Sequence, residues 1–287
     1  MKKIAVIDIG SNSVRLMMMA DGKVLYKTLD TTRLGEGLAS SSLLKREAVE
    51  RTAAAVAAFY ARANAEGAAS VYAFATAAVR SAENGSEFVA RVRELCPLDV
   101  EVISGMEEAE LGILGALGGR DGGLVDAGGA STEIVVQKGG VLIYKKSVDI
   151  GVVRLKDMCG ADAEKLKQAA ERAVGEYGKV PDGVPMYAIG GTATTLAALS
   201  LDMREYDSSR VTGTIVTAAQ MRALAERLTK MRAEDVAKLP GVQPKRADVL
   251  GGGAVLLSVV MDRLGFSELI VSDSDNLEGY AKKRGLL

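Results

Sequence analysis

The sequence predicts an α/β protein made of two duplicated halves, on three observations: an internal repeat, an alternation of strands with helices, and a Gly-rich junction between the copies. Residues 4–27, IAVIDIGSNSVRLMMMADGKVLYK, read as strand, tight Asp-Ile-Gly-Ser turn, strand, Asp-Gly turn and strand. Residues 124–146, LVDAGGASTEIVVQKGGVLIYKK, repeat that order, with Asp8 answering Asp126, Gly10 answering Gly128 and Ser13 answering Ser131 at a constant offset of 118. The Gly-rich stretch 118–123 marks the boundary, giving domains at 1–119 and 120–287 with the last helix free to return to the first. At roughly 150 residues per domain, 287 residues suit two.

The elements follow in order. After the first meander, Arg46–Ala65 has the spacing of an amphipathic helix. A strand at 70–75, a polar turn at 81–85 leading into a helix through Leu95, a strand at 100–103 and a helix at 107–117 complete the first half. The second half continues with helices at 163–177 and 218–230, a strand at 185–189 running into Gly190-Gly191-Thr192 and another helix, and an all-round apolar, hence buried, helix at 250–264.

Composition narrows the chemistry. The chain has 36 Lys and Arg against 37 Asp and Glu, a net charge of -1, so it does not coat nucleic acid through general basicity. It contains no His, which excludes a Ser-His-Asp triad, a Cys-His dyad, His-ligated metal and an imidazole base. Cys96 and Cys159 lie far apart and suggest neither a disulfide framework nor a zinc site. The apolar run after Met1-Lys2-Lys3 stops at Asp8, too short for a signal peptide, and no stretch has 18 apolar residues, so the expectation is a cytoplasmic protein without a membrane span.

The duplicated turns are the candidate site. Gly10 and Gly128 permit positive φ and close backbone approach, so that N–H groups and the hydroxyls of Ser11, Ser13, Ser131 and Thr132 can surround phosphate oxygens. Asp8 and Asp126 supply the hard oxygen ligands that Mg2+ prefers. Each loop alone is equally well a plain hairpin turn; duplication favours the phosphate reading. Gly190-Gly191-Thr192 places a helix start where anions bind, or where a tight strand-to-helix connection needs glycine. Ser104 and Glu107 fit a capping box, which leaves Glu108 without a structural task and free to activate water. Arg33 and Arg80 are candidate anion forks, each equally readable as a surface charge.

Together these motifs resemble the exopolyphosphatase and guanosine pentaphosphate phosphohydrolase family, within the actin, sugar kinase and heat-shock chaperone superfamily. The resemblance spans nearly the whole chain: AVIDIGSNSVRL at 5–16, RLGEGL at 33–38, ATAAVRSAENG at 75–85, EVISGMEEAEL at 101–111, VDAGGASTE at 125–133, IGVVRL at 150–155, AIGGTATTLAAL at 188–199 and KRADVLGGGAVLL at 245–257. It implies two ribonuclease-H-like domains of the actin-like ATPase type with the active site in the cleft between them, and Mg2+- or Mn2+-dependent hydrolysis of a terminal phosphoanhydride. The implied catalytic acids are Glu108 and Glu133. The implied phosphate-binding positions are Gly10, Ser11, Asn12 and Ser13 of the first loop, Arg33, Arg80, then Gly128, Gly129 and Ser131, and Gly190, Gly191 and Thr192. The implied metal ligands are Asp8 and Asp126. The substrate would be inorganic polyphosphate or guanosine pentaphosphate, and the assembly a homodimer.

Two positions depart from the family pattern. Its triple-Gly loop reads Gly128-Gly129-Ala130, and its Gly-Leu-Arg-Glu-Gly-like segment reads Asp275-Asn276-Leu277-Glu278-Gly279, without the Arg, for which Lys282 or Lys283 is a candidate substitute. The chain also ends after one catalytic core, without the appended helical region of longer members. A phosphate-binding regulator that has lost turnover remains an alternative, and a sugar kinase a weaker one. Lys145, Lys146, Lys245 and Arg246 form either a polyanion track or a solvated surface.

Overall fold

A computed structural model describes residues 2–287. The first meander comprises β1 (Lys3–Ile9), β2 (Val14–Ala20) and β3 (Lys23–Asp30), followed by α1 (Arg46–Ala65), β4 (Ala68–Ala75), α2 (Ala77–Ser81), α3 (Gly85–Leu95), β5 (Val100–Val102) and α4 (Gly105–Leu117). The second comprises β6 (Gly122–Ala127), β7 (Thr132–Lys138) and β8 (Val141–Val148), then α5 (Val152–Cys159), α6 (Ala163–Val174), β9 (Met186–Ile189), α7 (Gly190–Ser200), α8 (Ser208–Val211), β10 (Ile215–Thr217), α9 (Ala218–Thr229), α10 (Ala233–Val236), α11 (Ala247–Leu264), β11 (Glu268–Val271) and α12 (Asn276–Lys283).

The strands form two mixed sheets, ordered β3-β2-β1-β4-β5 and β8-β7-β6-β9-β11-β10. In each, a central strand pairs antiparallel with its hairpin partner and parallel with the strand after the crossover helix. The repeat is preserved to single residues. Asp8 lies opposite Arg15 and Asp126 opposite Glu133. Both outer hairpins close on two residues with positive φ, Asp21-Gly22 and Gly139-Gly140, the backbone signature of twist-compatible two-residue turns. Both carry a bulge three residues beyond the turn, leaving Leu25 and Ile143 without a register partner and about half exposed, at 51% and 47%.

The first core packs α1 and α3 on one face of the first sheet, with Ala53, Val56, Phe88 and Val92 against Ile7, Ile9 and Leu16. The larger second core is built around α11, buried nearly all round as its composition predicts. The helix expected at 163–177 ends at Val174 and tightens into a 3-10 turn at 175–177. The short elements α2, α5, α8, α10, β10 and β11 and the terminal α12 have too few residues to show a period.

Helix α4 belongs by packing to both halves. Ala109, Ile113 and Leu117 meet Leu124, Val135 and Ile189 of the second sheet, while Leu111 joins a cluster with Ile4, Val6, Met17 and Phe74 of the first. Helix α12 supplies Leu277, Tyr280 and Ala281 to that same cluster, so the chain end returns to the first sheet. A boundary at 119 therefore cuts behind a helix that both sheets share.

Candidate active site

The two Asp loops meet at the floor of a cleft of about 710 Å3 between the sheets. Their turns are copies: Gly10 N–H donates to the Ser13 carbonyl and Gly128 N–H to the Ser131 carbonyl, both at 3.0 Å. A Cβ at Gly10 would lie 3.2 Å from the Ser13 carbonyl oxygen and one at Gly128 3.1 Å from that of Ser131, so glycine serves close approach. Neither has positive φ, contrary to the sequence expectation; of the loop glycines considered, only Gly190 does, at +80°. The loops also touch each other. A Cβ on Gly129 would come 2.7 Å from Ser11 Cβ and 3.1 Å from Asn12 N.

Asp8, Gly10, Ser11, Asn12, Ser13, Glu108, Asp126, Gly128, Gly129, Ser131, Gly190, Gly191 and Thr192 all line the cleft. Glu133, Arg33 and Arg80 do not. Glu133 is 1% exposed behind the floor, where Oε1 accepts from Ser147 at 2.6 Å and Oε2 has no partner. Arg80, at the end of α2, supports the cleft from outside: its Nη1 donates to the Ile103 carbonyl at 2.9 Å and to Glu108 Oε2 at 3.2 Å. Arg33, at φ +54°, instead bridges the halves, pairing with Asp248 at 2.6 Å and donating to the Lys245 carbonyl at 2.7 Å.

The helix start that presents Glu108 is capped as its sequence requires. Glu107 N–H donates to Ser104 Oγ and Ser104 N–H to Glu107 Oε2, which leaves Glu108 to face the cleft. Burial first, then the charge of Asp126, push Glu108 up to about 7, although Arg80 opposes them. Burial pushes Asp126 up to about 6 against Arg15, with Asp275 and Asp8 adding to the rise. Burial, Glu108 and Asp126 together hold Glu133 well above the usual carboxylate range.

Several cleft groups escaped the sequence reading. Arg15, read only as strand, joins Asp8 to Asp275. Lys27 pairs with Asp273 at 2.7 Å and Glu278 at 3.0 Å, and Asn276 Nδ2 donates to Asp126 Oδ2 at 3.1 Å. The alternation around Arg15 and Lys27 was the available signal, since both point to the face that carries Asp8. These two, not Lys282 or Lys283, are the cations beside the departed C-terminal motif: Lys282 donates to the carbonyls of Leu114 and Gly115, and Lys283 is exposed. Of the basic residues considered for a track, only Arg246 lines the cleft. Lys145 pairs with Glu110, Lys146 reaches the Glu176 carbonyl and Lys245 pairs with Asp30. Arg246 has no ion pair among the described residues, and burial with the neighbouring Arg15 lowers it to about 10.

Among the described residues no three Asp, Glu, Cys or His side chains converge as a self-sufficient metal cage. The donor set nonetheless suits Mg2+, which takes one or two carboxylates and completes its shell with water and substrate phosphate. Asp8 Oδ1 is buried with no partner, and Asp126 Oδ1 lies where a Cβ on Gly190 would stand 2.8 Å away, so each aspartate has one oxygen outside its hydrogen bonds.

Two mixed sheets that enclose a cleft over duplicated Asp-Gly turns define an α/β phosphate-handling protein of the actin-like ATPase fold. The chain belongs to the Ppx/GppA phosphatase family, whose model matches residues 5–281. It is 33% identical over 311 aligned positions to exopolyphosphatase 2 of Mycobacterium tuberculosis, covering 97% of both chains. Among solved structures, a Ppx/GppA family member from Aquifex aeolicus superposes with a TM-score of 0.80 at 29% identity, over 99% of this chain and 98% of the other. An exopolyphosphatase-like protein superposes at 0.90 with 27% identity, over 99% and 100%. No helix among the described residues is long and apolar enough to cross a membrane.

Proposed function

We propose that this protein is an exopolyphosphatase that hydrolyses the terminal phosphoanhydride of inorganic polyphosphate and releases orthophosphate. One observation carries the reading: Glu108, a glutamate that its helix cap does not use, faces the cleft between two copies of one Asp-Gly turn and is pushed up to about 7 by burial and the neighbouring Asp126. Arg80 occupies Glu108 Oε2 and fixes the carboxyl, leaving the other oxygen for the attacking water.

In this mechanism the N–H groups and hydroxyls of the two turns, with the first turn of α7, bind the terminal phosphoryl oxygens. Mg2+ or Mn2+, held by the free oxygens of Asp8 and Asp126, would neutralise charge on that group. Glu108 takes the proton of the water as its oxygen bonds to the terminal phosphorus. The bond from phosphorus to the bridging oxygen breaks, and the shortened chain leaves with that oxygen. Burial and the neighbouring Glu108 and Asp126 push Glu133, behind the floor, well above the usual carboxylate range. Arg246, the cleft cation without a carboxylate partner, is placed to meet the next phosphate.

The same groups suit the 5′-terminal phosphate of guanosine pentaphosphate, and Val24, Leu25 and Tyr206 further along the cleft offer uncharged surface for a nucleoside. A cytoplasmic location and a homodimer complete the reading, the dimer supported by the exposed Val141 and Ile143 of edge strand β8. Orthophosphate release from both substrates, with divalent metal and with chelator, tests it. Release should stop in chelator and fall by about 10²-fold or more in Glu108→Gln, with substrate binding retained. An unchanged rate in Glu108→Gln refutes the assignment of the base; binding without turnover in the wild type would favour a regulator.

A further inference from the structure

The two cleft aspartates share a feature that neither loop produces by itself: each has one oxygen tied and one left over. Asp126 Oδ2 accepts from Asn276 Nδ2 at 3.1 Å, and Oδ1 remains beside Gly190. Asp8 Oδ2 accepts from Arg15, and Oδ1 is buried without a partner. Arg15 in turn bridges to Asp275 Oδ2. Both tethers therefore run to two adjacent residues at the start of α12, in the segment that departs from the family pattern.

That start is itself rigidly placed. Asp275 Oδ1 accepts from Leu277 N–H at 3.1 Å and Asp275 N–H donates to Glu278 Oε2 at 3.0 Å, a capping box that spends one oxygen of Asp275 on the helix and leaves the other for Arg15. Lys27 fixes Glu278 from the first sheet. Helix α12 lies against α4, which carries Glu108, at a distance only glycine permits: a Cβ on Gly115 would overlap the Asp275 carbonyl, and one on Gly279 the Leu111 carbonyl. A Cβ on Gly112 would stand 2.9 Å from Asn276 Oδ1. The helix that bears the base and the residues that orient the aspartates are thus set by one glycine-mediated contact.

We propose that Asp275 and Asn276 are positioning residues that decide which oxygen of Asp8 and of Asp126 is presented to a divalent cation, Asp275 acting through Arg15 and Asn276 directly. This rests on the hydrolase reading above. Outer partners of metal-binding carboxylates change affinity by about 10- to 100-fold when removed. Without the Asn276 amide, Asp126 is free to rotate and loses its fixed open oxygen. With Asp275 neutral, Arg15 loses its second anchor and stays committed to Asp8, in competition with the cation.

The test is Mn2+ binding to the full chain without substrate, by titration calorimetry, for wild type, Asn276→Leu and Asp275→Asn, alongside thermal melts. Both variants should bind Mn2+ about 10-fold more weakly while folded at the assay temperature. In steady state the metal concentration for half-maximal rate should rise in parallel, with KM for polyphosphate at saturating metal changed less than about twofold. Asparagine is as good an N-cap as aspartate, so Asp275→Asn keeps the helix start and carries the test if Asn276→Leu does not fold. Wild-type affinity in a folded variant overturns the inference and leaves the hydrolase reading standing. A wild-type protein that neither binds Mn2+ nor releases phosphate overturns both.

Discussion

The two Asp hairpins have the same turn, register and bulge, yet opposite electrostatics at one matched position. Opposite Asp8 stands Arg15; opposite Asp126, 118 residues on, stands Glu133. In the first half the cross-strand neighbour is a cation that opposes the rise burial imposes on Asp8 and, with Lys27, holds Asp275 below the usual carboxylate range against burial. In the second it is another acid, which burial, Glu108 and Asp126 push far up, toward the neutral form. A backbone can thus be duplicated while one side chain gives the copies opposite electrostatics: a cation that offsets the buried acids on one side, an acid pushed up by its acidic neighbours on the other.

This contrast can be broken experimentally. The largest expected effect is Arg15→Met, which leaves buried Asp8 without its paired cation and Asp275 with Lys27 alone nearby, and should cost about 3–5 kcal/mol in denaturant unfolding. A loss under 1 kcal/mol would mean that solvent already compensates both acids. Next comes pH. Glu108 and Glu133 have folded-state pKa values above those of the unfolded chain, so the folded state binds more protons and stability falls as pH rises. Unfolding of metal-free protein should be hardest near pH 4.5 and ease up to about pH 7, the value Glu108 reaches. Glu108→Gln should flatten part of that slope; an unchanged slope would assign it to other groups.

A smaller effect separates the two cleft guanidiniums. Arg15 is spent on two carboxylates, whereas Arg246 pairs with none, so Arg246→Met should raise KM for polyphosphate about 10-fold while leaving the melting temperature nearly unchanged. Loss of stability with unaltered KM would make Arg246 structural. The smallest effect is Glu133→Gln. An acid that burial and acidic neighbours push toward the neutral form loses little when replaced by a neutral isostere, so metal-free stability should move by less than about 1 kcal/mol. A penalty near that of Arg15→Met would show that Glu133 is charged and erase the contrast.

Much of this was legible in the sequence because it is written locally. The repeat, α1 at 46–65 and the Ser104–Glu107 capping box depend on side-chain periodicity and on hydrogen bonds spanning a few residues. Glu108 stood out by subtraction, as the acid that the cap did not use in a chain without histidine. Arg33 stayed open for a physical reason: an Arg in a Gly-rich loop looks the same whether its partner is a phosphate or Asp248, 215 residues away. Lys27, Asn276 and the link from Arg15 to Asp275 were hidden likewise, since those partners lie 246 to 260 residues distant for the cations and 150 for the amide, although Asp8 stands only seven residues from Arg15.

By itself the sequence determined the two-fold α/β plan, the paired Asp-Gly turns and the free carboxylate at the start of α4, since propensity, period and capping are short-range properties of the chain. Only the tertiary structure decided which charges cancel, which oxygens stay free and which cation the cleft retains. Those outcomes depend on burial and on distances of a few ångströms between residues far apart in sequence, where desolvation and Coulomb energy are both large and opposed.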